Sequence, residues 1–344
     1  MIYIRTDCND NIGLGHMMRC FAIAKALRRM GEEATFFVAD EESASLAAGA
    51  GYGYVCLHTD YDHLDQEADR LLQHMRERNV ERLLVDSYFV TGSYLKKIRD
   101  VARLAYIDDV NRFIYPCDLL IDYNIYSPLL RYEERYKEAG LSTRFALGTS
   151  YMPLDPIYMD LERIPHEDFR ILVTTGATDA KNVLGSFLAA YEKRYGKDLS
   201  APSIYAVIGR FNHHRDDLVS AYGKDSRIHL LPPQPDLTEL IASCDLALTA
   251  GGTTVYELCA GGVPSVLVTI ADNQMMAAKE FDRQGIIPYA GDIRTDMEGS
   301  MEKALNHLEE YRKNPALASA ASEKMRTVVD GHGAERIAKL LLTF

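Results

Sequence analysis

His16 stands in the stretch RTDCNDNIGLGHMMR, residues 5–19, where a short apolar run gives way to two glycines. An imidazole titrates near neutrality, so at such a turn it can act as a general base. It can equally be a helix-start histidine bonded to backbone, and the residues alone leave both readings open. Gly13 and Gly15 permit a tight turn and close approach of the backbone to a ligand. Free amides at the helix start that follows attract anions. No third glycine completes a dinucleotide fingerprint, which argues against dehydrogenase chemistry. Arg19 falls on the same helix face as His16. It can hold His16's neighbours, bind a phosphate or stay solvated.

Four further stretches carry candidate chemistry. In VDSYF, Asp86 can orient a histidine or bind a sugar hydroxyl, and Tyr88 can present a hydroxyl or simply pack. In YIDD, Asp108 and Asp109 suit acid–base work or turn capping, and at least one is expected to be structural. In TTGATDAKN, Gly176 turns the chain, and Asp179 with Asn182 can cap a helix, with ligand binding as the added possibility. The richest stretch is TAGGTTVYELCAGGVPSVLVTIADNQ. There Gly251 and Gly252 turn, and Thr253 and Thr254 open a helix whose amides and hydroxyls suit a diphosphate. Glu257 is either the second half of a capping box with Thr254 or a carboxylate for two ribose hydroxyls. Asn273 and Gln274 offer amides to sugar hydroxyls.

The elements that position these residues follow from hydropathy. Short, continuous apolar runs (MIYIRT, EATFFVA, YVCL, RLLVDS, RLAYIDD, DLLIDYN) alternate with amphipathic stretches. Such runs suit parallel strands buried on both faces, and the alternation predicts a doubly wound α/β domain. The segment around YMPLDPIYMDLERIP breaks the rhythm. The pattern then restarts with RILVTT, SIYAVI, RIHLL, DLALTA and PSVLVTI, and three helical stretches close the chain. The expected organisation is a Rossmann-like domain over 1–155, a linker over 156–165 and a second Rossmann-like domain over 166–344, with a cleft between them. Every candidate above lies at a strand's carboxyl end, where open α/β sheets bind ligands.

Composition narrows the classes. With 344 residues the chain holds two substantial cores, and a net charge of −12 argues against a nucleic-acid partner. Six scattered cysteines without a C-x-x-C pair read as reduced thiols, so no metal site and a cytoplasmic location are expected. No signal peptide and no bilayer-spanning run is apparent.

The motifs RTDCNDNIGLGHMMRC, DSYF, YIDD, DYNIYS, TGATDAKN, AGGTTVYELCAGGVPSVLVTIADNQ and DGHGAERI occur in this order over nearly the whole chain. Together they resemble the PseG family, UDP-2,4-diacetamido-2,4,6-trideoxy-β-L-altropyranose hydrolases of pseudaminic acid biosynthesis, and the C-terminal part resembles MurG-type GT-B glycosyltransferases. The resemblance implies a GT-B fold, release of UDP with water as acceptor, no cofactor, no membrane insertion and a monomer. It implies His16 as catalytic base, Tyr88 and Asp86 beside it, a diphosphate loop over Gly251–Thr254, Glu257 as ribose carboxylate and Asn273 with Gln274 near the sugar. Gly13, Gly15, Arg19, Gly176, Asp179 and Asn182 complete the expected substrate contacts. Two positions depart from the pattern: Asp155 stands where the family usually has arginine, and Ala177 where a second glycine is common. The rivals are a GT-B transferase with another acceptor, a UDP-N-acetylglucosamine 2-epimerase and a non-catalytic nucleotide-sugar binder.

Overall fold

A computed structural model describes residues 1–9, 12–234 and 236–344, so Asp10 and Asn11 of the first motif lie outside the described residues. The chain divides into two compact units, residues 1–156 with 331–344, and residues 157–330.

The first unit opens with β1 (Ile2–Thr6), α1 (Gly15–Arg29), β2 (Ala34–Val38), α2 (Glu41–Gly49), β3 (Gly53–Cys56) and α3 (Leu64–Glu77). It continues through β4 (Arg82–Asp86), α4 (Gly92–Arg99), β5 (Arg103–Ile107), β6 (Leu119–Asp122), α5 (Tyr132–Glu138) and β7 (Arg144–Leu147). Its seven strands are parallel in the order β3-β2-β1-β4-β5-β6-β7. Strand order reverses between β1 and β4, whose last residues, Thr6 and Asp86, lie side by side. A crevice at such a reversal is where this architecture binds ligands.

The second unit runs β8 (Arg170–Thr174), α6 (Val183–Tyr195), β9 (Ser203–Val207), α7 (Arg215–Tyr222), β10 (Ile228–Leu231), α8 (Thr238–Ser243) and β11 (Leu246–Ala250). Then come α9 (Thr254–Gly261), β12 (Ser265–Thr269), α10 (Met275–Arg283), β13 (Tyr289–Asp292), α11 (Met297–Lys313) and α12 (Pro315–Val328). Its sheet, also parallel, has the order β10-β9-β8-β11-β12-β13, reversing between β8 and β11. Every residue of β1, β11 and β12 is buried, which is why these strands read as continuous apolar runs.

The final helix, α13 (Gly333–Thr343), returns to the first unit, although the sequence pattern places it in the second domain. It packs on α1, and Arg336 donates to the Ser150 carbonyl at 2.9 Å. Gly333 makes this return possible: a Cβ there would lie 2.1 Å from the Met152 carbonyl oxygen. Of the expected linker, residues from 157 onward belong to the second unit. Tyr158 is buried there and accepts the Leu237 amide on its hydroxyl at 3.4 Å.

Candidate functional site

At the β1/β4 reversal, Gly13 adopts a φ of +72° and its amide donates to the Asn9 carbonyl at 2.8 Å, closing the turn. The chain then enters α1 at Gly15, which makes His16 the second helical residue. His16 bonds a carboxylate rather than backbone: its Nδ1 lies 2.7 Å from Asp86 Oδ1 at the end of β4. Arg19, one turn on, also grips Asp86, with Nε toward Oδ2 and Nη2 toward Oδ1. Its Nη1 donates to Asp109 Oδ2 at 2.9 Å and to the Tyr123 hydroxyl. The Tyr88 hydroxyl donates to the same Asp109 oxygen at 3.1 Å, and its ring meets the His16 ring edge-on at 4.3 Å.

His16, Arg19 and Asp86 are all buried. Burial would raise the Asp86 carboxyl, but Arg19 and His16 outweigh it and hold it well below the usual carboxylate range. Asp86 is therefore an anion at neutral pH, and His16 Nδ1 sits between its Oδ1, at 2.7 Å, and the Arg19 Nη2 donor, at 2.8 Å. With the Nδ1 proton turned to the carboxylate, Nε2 is a lone pair, and Nε2 has no hydrogen-bond partner among the described residues. Burial first, and Asp109 second, push the Tyr88 hydroxyl far above its ordinary range, so near neutrality Tyr88 is a donor and not a base.

The paired aspartates divide their work. Asp108 caps the Val110 and Asn111 amides, at 3.0 and 2.8 Å, and accepts the Tyr132 hydroxyl, whereas Asp109 belongs to the arginine cluster. Sequence reasoning missed Tyr123, the residue after β6, as a member of that cluster. It missed a second buried cluster beneath: Arg5 donates twice to Glu67, at 2.7 and 2.7 Å, and once to Asp7. Both had a readable signal. Arg5 interrupts an otherwise apolar strand, and Glu67 sits at helical spacing between Leu64 and Leu71.

The reversal in the second unit is built differently. Gly176, after β8, has a φ of +90°. Its turn rests on Gly209, where a Cβ would come within 2.3 Å of the carbonyl oxygens of Gly176 and Ala177. Asp179 accepts the Val183 and Leu184 amides, at 2.8 and 3.1 Å, and Asn182 accepts the Gly185 amide at 3.2 Å. The side-chain oxygens of these two expected substrate contacts therefore cap α6. Ala177 is exposed, so a methyl group is accommodated in place of a glycine.

After β11 the four expected diphosphate amides split. Gly251 and Gly252 donate to the Val268 and Ala250 carbonyls, at 3.0 and 2.8 Å, so they shape the turn. The amides of Thr253 and Thr254 have no partner among the described residues and are the available donors at the start of α9. A Cβ on Gly251 would lie 3.0 Å from Gln274 Cβ, so the glycine admits that close approach. Gln274 spends its side-chain oxygen on the Ile270 amide at 2.8 Å, while Asn273 is exposed. The N-cap is Thr253 without a side-chain bond, so the capping box is not formed. Glu257 instead meets Tyr158 and Thr254, and burial pushes its carboxyl up to about 7 against those hydrogen bonds.

Asp155 pairs with Lys25 of α1. No helix among the described residues is long and apolar enough to cross a membrane.

Residues 170–339 match the glycosyltransferase family 28 C-terminal domain. The chain is homologous to the spore coat polysaccharide biosynthesis protein SpsG of Bacillus subtilis, at 24% identity over 96% of this chain and 94% of that protein. It is equally similar, at 24% identity over 83% of its length, to a Helicobacter pylori protein described as pseudaminic acid cytidylyltransferase and UDP-2,4-diacetamido-2,4,6-trideoxy-beta-L-altropyranose hydrolase. The chain spans 47% of that bifunctional relative. The crystal structure of Acinetobacter baumannii MurG shares the fold, with a TM-score of 0.73 at 14% identity over 100% of this chain and 99% of that one.

Proposed function

We propose that this chain hydrolyses a UDP-linked 2,4-diacetamido-2,4,6-trideoxy sugar at its anomeric carbon, releasing UDP and the free sugar for synthesis of a pseudaminic-type nonulosonic acid. The observation that carries the reading is the oriented His16. Its Nδ1 faces an ionised Asp86 and its Nε2 is unpaired among the described residues. Nε2 takes a proton from water as the water oxygen attacks the anomeric carbon. The bond from that carbon to the phosphate oxygen breaks, and its electron pair leaves with UDP. The Thr253 and Thr254 amides and the α9 dipole stabilise charge on the departing diphosphate. Glu257 receives the ribose hydroxyls. Tyr88, Asp109 and Arg19 hold the histidine and its carboxylate in place. The named hydrolase activity of the H. pylori relative supports the substrate class.

The test is UDP release from the altrose-configured UDP-sugar, with UDP-N-acetylglucosamine beside it and His16→Ala and His16→Asn as controls. Turnover in oxygen-18 water locates the cleaved bond: label in the sugar and none in UDP is expected. Label in UDP, or a His16→Ala variant that keeps most of its rate, sinks the reading. The second reading is a glycosyltransferase, favoured by the family 28 domain and the MurG-like fold. It predicts tight UDP-sugar binding and turnover only when an acceptor is added.

A further inference from the structure

The edge of the first unit's sheet gathers three side chains of different chemistry around one point. Cys56 is the last residue of β3, His58 lies just beyond it, and Glu41 opens α2. One donor atom from each lies within 4.8 Å of both others. Cys56 Sγ is 3.4 Å from His58 Nδ1, which is 3.6 Å from Glu41 Oε1. A tetrahedral zinc ion, with bonds of about 2.3 Å to sulfur and about 2.0 Å to nitrogen or oxygen, sets its ligands roughly 3.3–3.6 Å apart. Cys56 Sγ also lies 3.8 Å from the Ala39 carbonyl, and the His58 and Glu41 side chains are exposed. His58 is also held at a φ of +51°, a conformation unusual for a residue with a side chain. Arg70 fixes that loop by donating to the Leu57 and His58 carbonyls. Beside it opens a hollow of about 400 Å³ lined by His58, Thr59, Asp60, Gln66 and Arg70, with room for a further ligand.

We propose that Glu41, Cys56 and His58 bind a zinc-class divalent cation, with water as fourth ligand, clipping the end of β3 to the start of α2. A thiolate and an imidazole favour such a metal over magnesium or calcium. As the sulfur–metal bond forms, the Cys56 S–H bond breaks and its proton passes to solvent. Sequence reasoning expected no metal because it looked for paired cysteines, whereas this trio joins a strand end, a loop and a separate helix.

The test is a titration of the reduced full chain with Co²⁺, followed by absorbance. A thiolate-to-cobalt charge-transfer band should saturate at one equivalent and be displaced by Zn²⁺. The other five cysteines are buried, so the band reports Cys56. It should vanish in Cys56→Ser, and apparent affinity should fall at least about tenfold in His58→Ala and in Glu41→Gln. Circular dichroism checks that each variant is folded. No band in the wild-type chain, a band that survives Cys56→Ser, or unchanged affinity in folded His58→Ala overturns the proposal.

Discussion

Arg5 and Arg19 lie on successive elements of the first unit, each buried against two carboxylates, and the two clusters differ in closure. Around Arg5 every acceptor is used. Glu67 takes two bonds from Arg5 and others from Tyr94 and Thr59, at 2.7 and 2.8 Å, and Asp7 also accepts the Ala39 amide at 2.7 Å. Around Arg19 the same charge pattern includes a histidine with one nitrogen pinned and the other unpaired among the described residues. A buried ion cluster with no loose end ties elements together. One that leaves an imidazole nitrogen without a partner has a group to spare for a proton, which is the role proposed for His16. The difference lies in whether a nitrogen lone pair is left over, and charge alone does not distinguish the two clusters.

The largest expected effect breaks the open cluster. His16→Ala and Asp86→Asn should each lower the UDP-release rate by roughly 10³–10⁴-fold in a folded protein. Asparagine acts through the tautomer: its amide donates to Nδ1, moves the imidazole proton to Nε2 and removes the base. The check is kcat for the two variants, with circular dichroism to confirm the fold. An Asp86→Asn variant with near-native kcat would reduce Asp86 to packing and erase the contrast.

The closed cluster should fail in stability instead. Arg5→Leu strands two buried carboxylates and should cost about 3–5 kcal/mol in urea unfolding, with turnover per folded molecule unchanged. The pair Arg5→Met with Glu67→Met removes two of the three charges and leaves only Asp7 stranded, so it should recover part of that loss. The equivalent pair Arg19→Met with Asp86→Met should fold and yet turn over no substrate. Were both double variants active, the two clusters would be equivalent.

A third expectation contrasts a carboxylate in each unit. Asp86 is held ionised far below neutrality, whereas burial pushes Glu257 up to about 7. If Glu257 receives ribose hydroxyls, its anionic form is the better acceptor. Uridine, which has no phosphate to confuse the titration, should then bind more tightly as pH rises from 6 to 8. Glu257→Gln should flatten that dependence and weaken binding by about 1–3 kcal/mol. The stability sign is opposite. A carboxyl raised in the folded state contributes stability that is full below its unfolded pKa and is lost as pH rises through about 7. Calorimetry with uridine and urea unfolding across pH separate the two trends.

The strands that cross buried sheet centres were legible because burial on both faces leaves long apolar runs. The elements that escaped are short and marginal: α2 (EESASLAAG) has small residues and a weak apolar face, α5 (YEERYKE) is polar, and β7 and β13 have four residues each. Within the site, His16, Asp86 and Tyr88 were readable from residue type at strand ends. The role of Arg19 was not, because a helix-face arginine looks alike whether solvated or buried. Tyr123 was one of 21 tyrosines until the fold brought β6 beside β5. The return of α13 was hidden because nothing local in DGHGAERI tells which unit it joins. The packing of α13 on α1, the Arg336 bond to the Ser150 carbonyl and the missing Cβ of Gly333 against Met152 reveal it.

The smallest expected effect tests whether the second unit's first turn binds or merely caps. Asn182 holds a left-handed φ of +52° and accepts the Gly185 amide, and Gly185 has no side chain to block that reach. Asn182→Ala removes the acceptor and strains the backbone, so it should cost about 1–2 kcal/mol. Asn182→Gly keeps the backbone freedom and should cost only a few tenths of that range. A residue that only caps should leave uridine and UDP affinity unchanged in both variants, measured by calorimetry well below their melting temperatures. Affinity lost in parallel for Ala and Gly would mean that the Asn182 amide nitrogen, which capping does not use, reaches the ligand. In that case the second unit's first turn would bind through a side chain as Glu257 is proposed to do, and its contrast with the histidine cluster would narrow to the presence of a base.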